Sequence, residues 1–166
     1  VVRGNAHENL KDYDQVLVDY NQALEIDPQL VEAYNNRGIF YFLLGEYEQA
    51  LADFNQAIQL DVGRATSYIN RGGLYSQTGE LQLALADYAQ AIQLDLLSPE
   101  AYAGRGNVVF LLGDHELGLA NHNCAIELDP TNAQFYYNRA EFYMVLGESE
   151  LAVQDFTKAI SLNPEY

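Results

Sequence analysis

Apolar positions along the chain fall at helical spacing. In the stretch 31–64, Tyr34, Ile39, Phe40, Leu43 and Leu44 stripe one helix, and Leu51, Phe54 and Ile58 stripe a second. Gly45 stands between the two stripes and predicts the end of the first helix; Gly79, Gly113 and Gly147 hold the same place further on. Acidic residues follow each of these glycines (Glu46 and Glu48, Glu80, Asp114 and Glu116, Glu148 and Glu150), where the positive end of a starting helix favours negative charge. Asp27-Pro28, Asp129-Pro130 and Asn163-Pro164 close the second helix. Each stretch therefore predicts a helix hairpin.

The pattern repeats with a period of 34 residues. Tyr34, Tyr68, Tyr102 and Tyr136 keep that spacing, as do Arg3, Arg37, Arg71, Arg105 and Arg139. Ala23, Ala57, Ala91, Ala125 and Ala159 keep it too, each followed by Leu or Ile. The expected organisation is one continuous array over 1–166: a truncated unit 1–30, then complete units 31–64, 65–98, 99–132 and 133–166. The four residues missing from the first unit, and a start at Val1, read as the mark of a piece cut from a larger array.

A unit such as YNNRGIFY followed by ALADF and a short turn resembles the tetratricopeptide repeat, whose pattern is Trp-x2-Leu-Gly-x2-Tyr, Ala-x3-Phe and Pro. The resemblance runs through the whole chain in five in-phase copies. It implies an all-α fold, a right-handed superhelical solenoid of stacked hairpins whose stability is roughly a sum of unit and neighbour terms. There are departures. Tyr replaces Trp, Arg replaces Leu, and Val62 and Leu96 stand where Pro is usual. The unit 99–132 diverges most, with Gly118 for the Ala and His122 for the Phe.

Two helices of a hairpin approach closely only where side chains at the crossing are small, a role for Gly38, Ala50 and Ala57. Tyr34, Tyr41 and Phe54 then read as packing around that gap rather than as a ligand box. The arginines are the unusual feature. Asp19, Asp53, Asp87, Asn121 and Asp155 stand 16 residues after the five repeat arginines, which predicts structural ion pairs: Arg37 with Asp53, Arg71 with Asp87, Arg139 with Asp155. Spacing alone leaves open whether Arg71 meets Asp87 or the preceding Asp53.

Charge narrows the range of partners. The formal net charge of −16, from 24 Asp plus Glu against 8 Lys plus Arg, excludes a nucleic-acid binder working through phosphate neutralisation. It equally argues against docking on anionic membranes through a basic patch. No apolar run is long enough for membrane insertion, and a single cysteine, Cys124, allows no internal disulfide. The compartment stays open, with a soluble cytoplasmic location slightly favoured. With the five repeat arginines in pairs, Lys11, Arg64 and Lys158 are expected to be the unpaired surface cations.

No catalytic constellation is present, so no enzyme activity, cofactor or metal is expected. His115 and His122 lie about 10 Å apart in helix rise, too far to share a metal. His122 and Cys124 are two residues apart and face different ways. His7 and His122 occupy aromatic positions of the repeat and are expected to be satisfied, partly buried side chains.

By the resemblance, first helices line a concave face that takes extended peptides or partner helices. The candidate ligand positions carried over on that basis include Asn35, Asn36, Ile39, Phe42, Ile69, Asn70, Asn107, Phe110, Tyr137 and Asn138. The basic clamp of chaperone-adaptor members has no counterpart at the matching places, which disfavours acidic C-terminal ligands. Asn36, Asn70 and Asn138 recur instead, with Asn107 displaced, similar to the asparagine ladder of the superhelical arm of O-linked N-acetylglucosamine transferase. An amide offers one acceptor and two donors, so such a ladder can bracket a peptide backbone. Gly73 and Gly104 are expected to leave gaps for apolar ligand side chains, and Glu32, Glu100 and Glu141 to favour neutral or basic sequences.

The leading expectation is a non-catalytic scaffold that binds a segment of a partner protein in this groove. Two alternatives are a targeting or assembly arm of a larger enzyme or secretion complex, and a module that self-associates through terminal repeats lacking a polar cap.

Overall fold

The computed structural model describes residues 15–165. Helix α1 is described over 15–26. It is followed by α2 (Val31–Leu43), α3 (Tyr47–Leu60), α4 (Ala65–Thr78), α5 (Leu81–Leu94), α6 (Pro99–Leu111), α7 (His115–Leu128), α8 (Ala133–Leu146) and α9 (Ser149–Leu162). His7, Lys11 and Arg3 lie outside the described residues.

The turns follow from two local devices. Gly45, Gly79, Gly113 and Gly147 each have positive φ, the left-handed conformation that ends a helix cheaply only at glycine. At Gly45 the Glu46 N–H reaches back to the Tyr41 carbonyl at 2.9 Å, satisfying a group the helix end leaves over. The second device is an acidic or amide side chain at the end of each second helix. Asp27, Asp61, Asp95, Asp129 and Asn163 each accept, through Oδ1, the backbone N–H two residues on. This accounts for Val62 and Leu96 in place of Pro: the Asp side chain holds the turn, so the ring is dispensable. Of the acidic residues expected to favour helix starts, Asp114 caps directly, accepting from the Leu117 N–H at 3.1 Å.

Among α2–α9, each second helix packs on the first helix of its own hairpin, and α3, α5 and α7 pack also on that of the next. First helices also touch one another across hairpins (α2 with α4, α4 with α6, α6 with α8), whereas the second helices of this set do not. The stack is a solenoid with first helices on its inner side and second helices outside. Its core runs as a series of small clusters: Ala50, Phe54 and Leu74; Ala84, Tyr88 and Val108; Ala91, Ile92 and Ala101; Ala103, Ala125 and Phe135.

Close approach inside a hairpin depends on glycine at the crossing. A Cβ on Gly38 would lie 2.6 Å from the Phe54 ring, and one on Gly106 would lie 2.9 Å from the His122 ring. Gly104 serves a junction between hairpins, because the Tyr88 ring of α5 occupies the space a Cβ there would need.

Candidate functional site

Three hollows meet on the inner face between α2, α4 and the start of α6. One, of about 350 Å³, is lined by Ile39, Phe42, Leu43, Phe54, Ile69, Asn70, Gly73, Leu74 and Tyr88. A second, of about 280 Å³, lies between Glu32, Asn35, Asn36, Ile39, Arg64, Thr66 and Asn70. The third, of about 300 Å³, continues past Ile69 and Asn70 toward Asp95, Leu97, Ser98 and Glu100. Asn70 borders all three, with Asn36 exposed on the neighbouring first helix. Gly73 opens the largest hollow of the three, since the nearest atom to a Cβ there is the Tyr88 hydroxyl oxygen at 3.7 Å.

Several of the expected groove residues are engaged within the protein. Asn35 borders the second hollow but is buried and donates its amide to Ser67 Oγ at 2.8 Å, so it ties α2 to α4. Asn107 is engaged by His122, whose Nε2 lies 2.8 Å from Asn107 Oδ1. Phe110 is buried: its ring stacks on Phe142 at 3.7 Å, and the missing side chain at Gly118 lets Phe110 turn down onto α7. Asn138 accepts the Gln134 side-chain amide at 2.6 Å on its own helix. Tyr137 packs edge-on against Phe156 with ring centres 5.3 Å apart. The expected gap at Gly104 is filled by Tyr88. Asn35, Asn36, Ile39, Phe42, Ile69 and Asn70 are the candidates that the fold gathers around one set of hollows, Asn35 with its amide already spent on Ser67.

The charges also redistribute. Arg64 is paired, donating to Glu32 at 2.6 Å and to Asp61 at 3.2 Å. The guanidinium in turn holds the Glu32 carboxyl below its ordinary range, after a larger contribution from a backbone hydrogen bond. Lys158 sits 5.9 Å above the Tyr136 ring.

The repeat arginines form a second recurrent structure. Arg71 Nε and Nη2 donate to the two carboxylate oxygens of Asp87 in its own hairpin, both at 2.7 Å, and not to Asp53. Its Nη1 donates to Asn55 of the preceding hairpin at 2.6 Å, and the rings of Tyr68 and Tyr75 lie 5.8 and 5.7 Å from its guanidinium carbon. Arg37 repeats this with Asp53, Asn21, Tyr34 and Tyr41. Arg139 does so with Asp155, Asn123, Tyr136 and Tyr143. The aspartates are buried and the arginines half-buried, and the carboxylate hydrogen bonds raise the arginine pKa values further. The sequence reading passes over the asparagines, although Asn21, Asn55 and Asn123 keep the 34-residue period.

His122 differs from expectation. It is fully buried in the aromatic position of the hairpin, edge-on to Phe142 at 4.9 Å, with Nδ1 unpaired. Burial, then the nearby Arg139 charge, pushes its pKa down to about 4.

An inner face built from repeated helix hairpins, with hollows lined by apolar and amide groups, defines a solenoid scaffold for protein interaction. The repeats themselves identify the lineage: the tetratricopeptide repeat model matches residues 31–62 and 133–166, another tetratricopeptide repeat model matches 65–96, and a TPR repeat model matches 4–45. The chain belongs to the tetratricopeptide repeat family. Among solved structures, MamA superposes with a TM-score of 0.74 at 25% identity, over 98% of this chain and 95% of that one. TTC0263, a thermophilic TPR protein in Thermus thermophilus, gives a TM-score of 0.84 at 22% identity, over 99% and 90%. YrrB, described as a TPR protein with an unusual peptide-binding site, gives 0.67 at 24% identity, over 98% and 84%. No curated protein sequence matches the chain. Among the described residues, no helix is long and apolar enough to cross a membrane.

Proposed function

We propose that the inner face between α2, α4 and α6 binds an extended, neutral-to-basic segment of a partner protein. The observation that carries this reading is the convergence of three hollows on Asn70, with Asn36 beside it. Side-chain amides there can pair with the N–H and C=O groups of a strand-like ligand whatever its side chains. The apolar hollow over Gly73 takes one ligand side chain of Leu or Phe size. Asp95 and Glu100 border the adjoining hollow and favour a cationic neighbour on the ligand, while Glu32 contributes less because Arg64 offsets it. A scaffold needs no chemistry of its own, which agrees with the absence of a catalytic pattern in the sequence.

Gly73→Leu tests this with opposite effects on folding and binding. The new Cβ meets the Tyr88 hydroxyl at an ordinary contact distance of 3.7 Å, and losing a helical glycine stabilises the fold by up to about 1 kcal/mol. The hollow is filled at the same time. Pull-down with this variant and with Asn36→Ala/Asn70→Ala is expected to lose the partners recovered by the wild type, with thermal stability held or raised. Undiminished recovery by both variants rules out the groove.

A further inference from the structure

The hairpin α6–α7 breaks the arginine pattern in a way that leaves a site open. Arg105 Nε donates to Asn121 Oδ1 at 2.8 Å, the place where its counterparts meet an aspartate. The other end of that amide is turned away, with Nδ2 donating to the Leu117 carbonyl at 2.7 Å, so Arg105 Nη2 has no second oxygen. Ala89 stands where Asn21, Asn55 and Asn123 accept from Nη1, and Val109 replaces the second tyrosine. Arg105 lies over Tyr102 at 5.5 Å, and it is the repeat arginine without a carboxylate partner among the described residues. Its Nη atoms are not among the buried unpaired ones, so solvent reaches them.

We infer that Arg105 is a carboxylate-binding site in the outer layer, between α5 and α7, and that it takes an Asp or Glu side chain of a partner protein. The three sister sites act as internal controls: in each, the same arginine on the same scaffold holds a carboxylate bidentately beside an amide. Here the protein supplies the guanidinium, the Tyr102 face and one amide oxygen on Nε, but no carboxylate and no asparagine facing Nη1. The planar Nη1–Nη2 edge matches a carboxylate in the fork geometry that arginine favours. A protein-borne side chain fits better than a free small anion, because Ala89 is only part-buried and leaves apolar surface on α5 that a peptide flank can cover. The preference is opposite in sign to that of the inner groove, so the two faces select different ligands.

The test is an NMR titration of the arginine side-chain ¹⁵N signals at constant ionic strength. The probes are acetate, inorganic phosphate and a blocked Gly-Glu-Gly peptide whose only carboxylate is the side chain. The expected result is a saturable shift at Arg105 that is absent at Arg37, Arg71 and Arg139, with the peptide saturating at least about threefold lower in concentration than acetate. In Ala89→Asn/Asn121→Asp, which supplies the sister partners from within, the Arg105 response is expected to vanish while melting temperature holds or rises. Equal shifts at all four arginines, or a response that survives in the double variant, overturn the site. Saturation by phosphate alone overturns the carboxylate assignment, and a peptide no tighter than acetate overturns the protein-borne source.

Discussion

His122 shows how a single residue carries a cost that its neighbours do not. At the equivalent positions Phe54 and Tyr88 fill the hairpin core with rings that need no buried nitrogen partner. His122 satisfies Nε2 through Asn107 and leaves Nδ1 buried and unpaired, which costs about 1–3 kcal/mol. Its lowered pKa makes that burden depend on pH. The folded state takes up no proton there until about pH 4, whereas the unfolded chain protonates below its ordinary value of 6.5. The unfolded state therefore binds more protons between those values, and stability falls with acidification across that window by about 1.4 kcal/mol per pH unit. Phenylalanine at this position removes the titration and fits the space that Gly106 leaves. Melting curves at pH 7, 6 and 5 are expected to diverge, with His122→Phe progressively more stable relative to the wild type as pH falls. Parallel curves would show that His122 is not buried neutral.

Between elements, the arginine sites join three helices at once. Arg71 on α4 grips Asp87 on α5 and Asn55 on α3, so it fixes both the hairpin and the preceding junction. Removing the arginine strands a buried carboxylate, and Arg71→Ala is expected to destabilise by about 3 kcal/mol. Arg105→Ala strands only an amide and is expected to cost about 1 kcal/mol. Denaturant unfolding of the two variants measures the contrast, and equal losses would refute the role of the buried aspartate. At the junction of α5 with α6 the amide staple is absent, and apolar packing stands in for it: Tyr88 fills the space over Gly104, and Ile92 is buried against Ala91 and Ala101. These features differ in how far the sequence discloses them. Helix hairpins follow from spacing and glycine punctuation, because both act within a few residues. The choice of Asp87 over Asp53 does not, since identical residues recur every 34 positions and only packing separates them. The groove amides are hardest to read. Asn35, Asn107 and Asn138 all fall at positions carried over as groove-facing, yet Ser67, His122 and Gln134 engage them through side-chain geometry that periodicity does not encode.

For the whole molecule, the net charge of −16 acts on folding and on binding in opposite directions. Half-buried Arg–Asp pairs absorb Arg37, Arg71 and Arg139, and Arg64 is bound to Glu32 and Asp61, so the carboxylates left at the surface face few cations. Their mutual repulsion is a long-range, solvent-exposed effect that salt screens over roughly 8–10 Å at physiological strength. The paired arginines are partly shielded and lose less. Raising sodium chloride from about 10 to 150 mM is therefore expected to increase the melting temperature, because self-repulsion of the compact state weakens more than the pairs do. The inner groove responds the other way. Attraction of Asp95 and Glu100 for a cationic ligand residue is screened by the same ions, so association of a neutral-to-basic segment slows as salt increases. Thermal melts and association rates taken across one salt series separate the two effects. A melting temperature that falls with salt would mean that the exposed charges are attractive on balance. An association rate independent of salt would mean that the ligand is held by the apolar hollow and the amides alone.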